Sequence, residues 1–162
     1  MKIVVITSSA HVAGASNYLA DQFIAGAQAS GHEVYRYNAV DHQNNFVMVD
    51  EENAAIVQHD DVEQLLHKVA QADLVAMVTP LYYFGMSSLL KTIVEGNKQA
   101  VMIATAAGKD FASLKVHYRQ IIDYMRWTDA GTIWDGGALA HPAIDEYGQQ
   151  AYELGQELSA GN

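Results

Sequence analysis

The chain reads as an α/β protein, a three-layer sandwich with a five-stranded parallel sheet between helices. Three observations predict this. Short apolar runs alternate with helical patterns along the 162 residues. The central runs are rich in β-branched residues and nearly uninterrupted by polar ones, as in strands buried on both faces. No internal repeat, low-complexity tract or Pro/Gly-rich linker divides the chain, so residues 1–162 are expected to form a single domain. Alternating strands and helices imply parallel pairing through right-handed crossovers.

Lys2–Thr7 (KIVVIT) is the first buried strand, followed by a small-residue loop over Ser8–Ala15. Ser16–Ser30 follows as a helix, with Leu19, Phe23 and Ala27 at four-residue spacing and Gly31 closing it. Glu33–Asn38 is less apolar, which places it at the sheet edge. Ala39–Asp60 is polar and acidic apart from Phe46–Val49, and reads as a long loop with an irregular insert. Asp61–Ala72 is a helix with Val62, Leu65, Leu66 and Val69 on one face. Leu74–Thr79 (LVAMVT) is a central strand stopped by Pro80, and Ser87–Glu95 a short helix broken at Gly96-Asn97. Gln99–Thr105 is another buried strand, turned by Ala106-Ala107-Gly108. Phe111–Arg126 is amphipathic, with Phe111, Leu114, Tyr118, Ile121, Ile122 and Met125 at helical spacing. Gly131–Trp134 is the last strand, and Ile144–Ser159 the closing helix, with Tyr147, Ala151, Leu154 and Leu158 facing inward.

Composition excludes several function classes. The net charge of −10 argues against a nucleic-acid binder and against docking on an anionic membrane. The absence of cysteine removes disulfides, thiolate zinc sites and cysteine-held iron–sulfur clusters. The seven histidines show no metal-binding spacing, so no metal is expected. The opening MKIVVITSS is too short an apolar run for a signal peptide, and no stretch approaches a membrane span. A cytoplasmic address is expected.

In a parallel α/β sheet ligands sit beyond the carboxyl ends of the strands, where strand order reverses. Three loops fall there. The first, T-S-S-A-H-V-A-G-A-S-N, is small and polar and opens a helix, whose free N–H groups attract anions. Ser16 or Asn17 would also serve there as a plain helix cap. The loop holds no Lys or Arg, so a phosphate would rest on N–H and O–H donors, with His11 as the available cation. It matches neither the Walker A pattern nor G-x-G-x-x-G. The second loop, P-L-Y-Y-F-G-M-S-S-L-L-K, offers aromatic walls for a flat ring system. The third is Thr105–Lys109.

Three segments carry a family resemblance: I-T-S-S-A-H-V-A-G-A-S-N-Y-L-A (Ile6–Ala20), A-D-L-V-A-M-V-T-P-L-Y-Y-F-G-M-S-S-L-L-K (Ala72–Lys91) and A-V-M-I-A-T-A-A-G (Ala100–Gly108). With these the chain resembles the flavodoxin-like NAD(P)H-dependent FMN reductases and NAD(P)H quinone oxidoreductases, from residue 1 to about Gly108. The resemblance implies a flavodoxin-like strand order 2-1-3-4-5 and FMN as cofactor. It implies a flavin phosphate on Ser9, His11, Ser16 and Asn17. The isoalloxazine would lie against Pro80, Leu81, Tyr82, Tyr83, Phe84 and Gly85, with Met86 and Ser87 at the next helix start and Ala106, Ala107 and Gly108 at its pyrimidine side. It further implies NADH or NADPH as co-substrate, a quinone-like or other small-molecule acceptor, and a homodimer. Many relatives have Pro-Arg where this chain has Ala10-His11, and the Glu95–Gln99 join is short. No side chain stands out as an obligatory acid or base, although Tyr82 or Tyr83 is placed to donate a proton.

Two other functions share the fold. A non-enzymatic flavodoxin-like electron carrier would suit the negative charge. A signalling receiver needs paired acids after the first strand and an aspartate after the third, where this chain has Thr7-Ser8-Ser9 and Thr79-Pro80.

Overall fold

The computed structural model describes residues 1–44, 48–50, 55–57, 61–81, 98–138 and 141–159. In chain order the elements are β1 (Lys2–Thr7), α1 (Ala15–Ala29), β2 (Glu33–Asn38), β3 (Met48–Asp50), β4 (Ala55–Val57), α2 (Val62–Gln71), β5 (Leu74–Pro80), β6 (Gln99–Ala106), α3 (Ala112–Met125), β7 (Thr128–Gly136) and α4 (His141–Glu157). The main sheet runs β2-β1-β5-β6-β7, and every pairing in it is parallel. Counting its own strands alone, this is the expected order 2-1-3-4-5.

The central strands are apolar throughout because both faces are covered. Ile3, Val5, Ala76, Val78, Val101 and Ile103 pack on one face against Leu19, Phe23 and Ala27 of α1 and Ala151 of α4. Val4, Ile6, Val75, Met77 and Met102 pack on the other against Val62, Leu65 and Val69 of α2 and Leu114 and Tyr118 of α3. The edge strands β2 and β7 are only partly buried, which is why they read as less apolar. Gly31 sits at φ +79° behind α1, as its place after the helix predicted.

The contact between α1 and α4 is a close one. The helices approach through Gly26 and Gly155. A methyl group at Gly26 would meet the Tyr152 carbonyl oxygen at 1.9 Å, and one at Gly155 the Phe23 carbonyl oxygen at 2.2 Å. Only glycine permits this approach.

Several expectations need correction. Residues 39–60 are not one long loop: they hold a 3-10 turn at Ala39–Asp41 and an antiparallel pairing of β3 with β4. Strands of three residues carry too little alternation to be read from sequence. The last strand is longer than Gly131–Trp134, because exposed Thr128 and Asp129 begin it with polar residues. Pro80 ends β5 from inside, paired in register with Thr105. Leu66 is 37% exposed, whereas Val62, Leu65 and Val69 are buried. On α3, Ile121 and Met125 are only partly buried, so the core stripe is narrower than its spacing suggested. The expected helix Ser87–Glu95 lies outside the described residues.

Candidate functional site

The carboxyl edge of the sheet carries a cavity of about 640 Å³. Its walls come from three loops: Ser9 and His11–Ser16 after β1, Pro80 and Leu81 at the end of β5, and Thr105–Ala107 at the end of β6, with Ala138 added after β7. Its volume lies within the roughly 300–1,000 Å³ usual for cofactor and small-molecule sites.

The first loop is tied down at both ends. The Ser8 amide donates to the Val78 carbonyl at 3.1 Å and its hydroxyl to the same oxygen at 3.3 Å. The Ser9 hydroxyl accepts from the His11 amide at 3.3 Å. The His11 carbonyl accepts from the Gly14 amide at 2.9 Å and from Asn17 Nδ2 at 2.8 Å. A side chain at Gly14 would stand 3.0 Å from the His11 Cβ and carbonyl oxygen, so the loop closes on a bare backbone.

Helix α1 then starts without a cap. Its N-cap is Gly14, in extended conformation, and among the described residues no side-chain cap bond is made to the first turn. Neither Ser16 nor Asn17 acts as the cap that the sequence allowed. Ser16 turns its hydroxyl to Thr105 Oγ1 at 2.6 Å, a buried bond that joins α1 to β6. The helix therefore presents first-turn N–H groups and the positive end of its dipole beside the cavity, with the Ser9 hydroxyl nearby. A phosphate fits this donor set, since oxyanions bind at such helix starts. The remaining wall fits a ring system: Leu81, Ala106, Ala107 and Ala138 are small or apolar. Their backbone is fixed by the Leu81 amide on the Thr105 carbonyl at 2.7 Å and by the Gly137 and Ala138 amides, both on the Ala106 carbonyl at 2.9 Å.

The structure brings Ser9, His11, Ser16, Pro80, Leu81, Ala106 and Ala107 to one cavity. Asn17 stands behind the wall, 7% exposed, with both ends of its amide engaged: Oδ1 accepts from Arg36 Nη2 at 2.9 Å while Nδ2 holds the loop. Gly108 is exposed next to Ala107, just outside the wall. Tyr82, Tyr83, Phe84, Gly85 and Met86 lie outside the described residues.

Three further residues stand out at or beside the site. Thr105, which opens the third loop read from the sequence, lines the cavity. Arg36 comes from β2, and only the fold brings it to α1. Asp135, in register with Thr105, is fully buried. Among the described residues neither of its carboxylate oxygens has a hydrogen-bond partner. Burial pushes its carboxyl above the ordinary aspartate range, with no charged neighbour contributing.

Known proteins were compared with this architecture. The family model described as NADPH-dependent FMN reductase matches residues 1–137. The chain belongs to that family. It is an NAD(P)H-dependent reductase that uses FMN, which separates it from non-enzymatic carriers of the same fold. No curated protein matches the sequence. Solved structures repeat the flavodoxin-like fold at low identity. The azoreductase AzrA superposes with a TM-score of 0.77 at 13% identity, covering 98% of this chain and 100% of that one. The NAD(P)H:quinone oxidoreductase from Methanothermobacter marburgensis does so with 0.71 at 14%, covering 100% and 98%. An FMN-dependent NADH-azoreductase from Bacillus anthracis, solved in complex with FMN, does so with 0.72 at 12%, covering 96% and 98%. No described helix is long and apolar enough to cross a membrane.

Proposed function

We propose that the chain binds FMN with its phosphate at the start of α1 and its ring system along Pro80–Leu81 and Ala106–Gly108, and passes reducing equivalents from NAD(P)H to a quinone-like or other small organic acceptor. The observation that carries this is the uncapped start of α1, opening on a cavity built by three separate loops. An uncapped helix leaves its first N–H groups for another acceptor.

The bound flavin supplies the hydride and electron chemistry. The protein's share is binding and orientation. Ser9 Oγ and the amides of Ala15 and Ser16 hold the phosphate. The Ser16–Thr105 bond keeps α1 at a fixed distance from β6, and so sets where the phosphate lies relative to the Ala106–Ala107 turn. The small side chains of Ala106, Ala107 and Ala138 leave room for a second flat molecule over the ring. A nicotinamide needs that room to come within the roughly 3–3.5 Å of a near-attack geometry. Aromatic or azo-compound acceptors share this flat shape.

We place the protein in the cytoplasm, as one domain acting in a homodimer. Val12, 82% exposed on the first loop beside the cavity, suits coverage by a second chain.

The test is steady-state turnover of NADPH and NADH with FMN-loaded protein and a simple quinone. Oxidation well above that of free FMN is expected. Oxidation no faster than free FMN, with flavin still bound, would overturn the assignment.

A further inference from the structure

The described lining of the cavity carries no lysine or arginine, and His11 is its single ionisable side chain. A flavin phosphate carries up to two negative charges, and the whole chain carries −10.

Arg36 lies in the edge strand β2, with its guanidinium against the start of α1. Nη2 donates to Asn17 Oδ1 at 2.9 Å and Nε to Asn38 Oδ1 at 2.6 Å, while Nη1 pairs with the Asp21 carboxylate. Asn38 Oδ1 also accepts from the Thr7 hydroxyl at 2.6 Å, which locks the group to the ends of β1 and β2. The Arg36 side chain is 26% exposed and that of Asp21 60%, so solvent screens the countercharge more than it screens the guanidinium.

The geometry leaves the Asn17 amide one orientation. A guanidinium only donates and a backbone carbonyl only accepts, so Oδ1 must face Arg36 and Nδ2 must face the His11 carbonyl. Donation from a cation to Oδ1 strengthens Nδ2–H as a donor in turn. The His11 carbonyl, a negative group in the phosphate loop, is thereby held by Asn17 and by the Gly14 amide. The chain of contacts runs from β2 to the loop without Arg36 itself touching the cavity.

We propose that Arg36 is a positioning residue for the flavin phosphate: through Asn17 it sets the Ser9–Gly14 loop. This rests on the phosphate lying at the start of α1, as proposed above.

The test is a double-mutant cycle read by FMN fluorescence titration, with circular dichroism to confirm each variant folds. Arg36→Met and Asn17→Ala should each weaken FMN binding about tenfold, as expected for losing a charge-assisted bond. The double variant should bind no more weakly than the worse single, because the two residues act in series. A merely structural Arg36 would give losses that multiply. Should Arg36→Met fail to fold, Arg36→Lys, which cannot reach Asn17 and Asn38 together, takes its place with the same two readings. Wild-type affinity in the Arg36 variant, or multiplying losses, would overturn the proposal. Ser9→Ala with Ser16→Ala separates the levels. If that pair weakens FMN binding and Arg36→Met does not, the role of Arg36 alone fails. If that pair leaves affinity unchanged, the phosphate is not at this loop and both readings fall.

Discussion

Gly155→Ala tests the close approach of α1 and α4. A methyl group there would stand 2.2 Å from the Phe23 carbonyl oxygen and 2.8 Å from the Ala27 amide nitrogen, against 3.4 Å for ordinary contact. Both obstacles are backbone, so no side chain can swing away. The helices would have to part by about 1 Å, an overpacking that costs roughly 1–3 kcal/mol or somewhat more. Around the contact Leu19, Ala20, Phe23, Ala27 and Ala151 are all 0% exposed, so separation opens gaps among well-packed atoms. Alanine's better helix propensity returns about 1 kcal/mol. Towards the upper end of that cost a net loss of about 1–2 kcal/mol remains, which for a domain of this size lowers Tm by roughly 2–8 °C. Gly148→Ala is the internal comparison: its obstacle is the Tyr18 hydroxyl, 2.5 Å away at the end of a side chain that can move. The assay is thermal unfolding of the three proteins without flavin. A Gly155→Ala protein as stable as wild type, or less affected than Gly148→Ala, would refute the reasoning.

Two other outcomes follow from the site. Ser9→Ala with Ser16→Ala should weaken FMN binding at least about tenfold: Ser9 loses its bond to a charged group, roughly 1.5–3 kcal/mol, and Ser16 loses the tie to Thr105 that fixes the start of α1; fluorescence titration checks it. Asp135→Asn should stabilise the protein increasingly as pH rises. Burial raises the folded carboxyl above its unfolded value, so the wild-type contribution is complete below the ordinary aspartate range and is lost as pH rises through the folded pKa. Unfolding midpoints of both proteins across roughly pH 4–9 decide it; a difference that does not grow with pH would count against the buried acid.

What the sequence made legible is what local pattern encodes. KIVVIT, LVAMVT and AVMIAT are buried on both faces, and that shows in their composition. Leu19, Phe23 and Ala27 show in their spacing. Ser9, His11, Pro80 and Ala106 were legible as site residues because each follows or ends a readable strand. Other features depend on distant partners. Arg36 is an ordinary edge-strand residue until β2 lies beside β1 and its side chain reaches α1. Asp135 looks like a surface acid until β6 and the helices bury it. The contacts of Asn17 were not legible either: its amide is held between Arg36 and the His11 carbonyl. The β3–β4 pairing was illegible for want of length.

The most direct measurement is a crystal structure of the FMN complex. The account predicts the phosphate within hydrogen-bond distance of Ser9 Oγ and the amides of Ala15 and Ser16, with Asn17 still bridging Arg36 and the His11 carbonyl. A phosphate bound away from the start of α1 would contradict it.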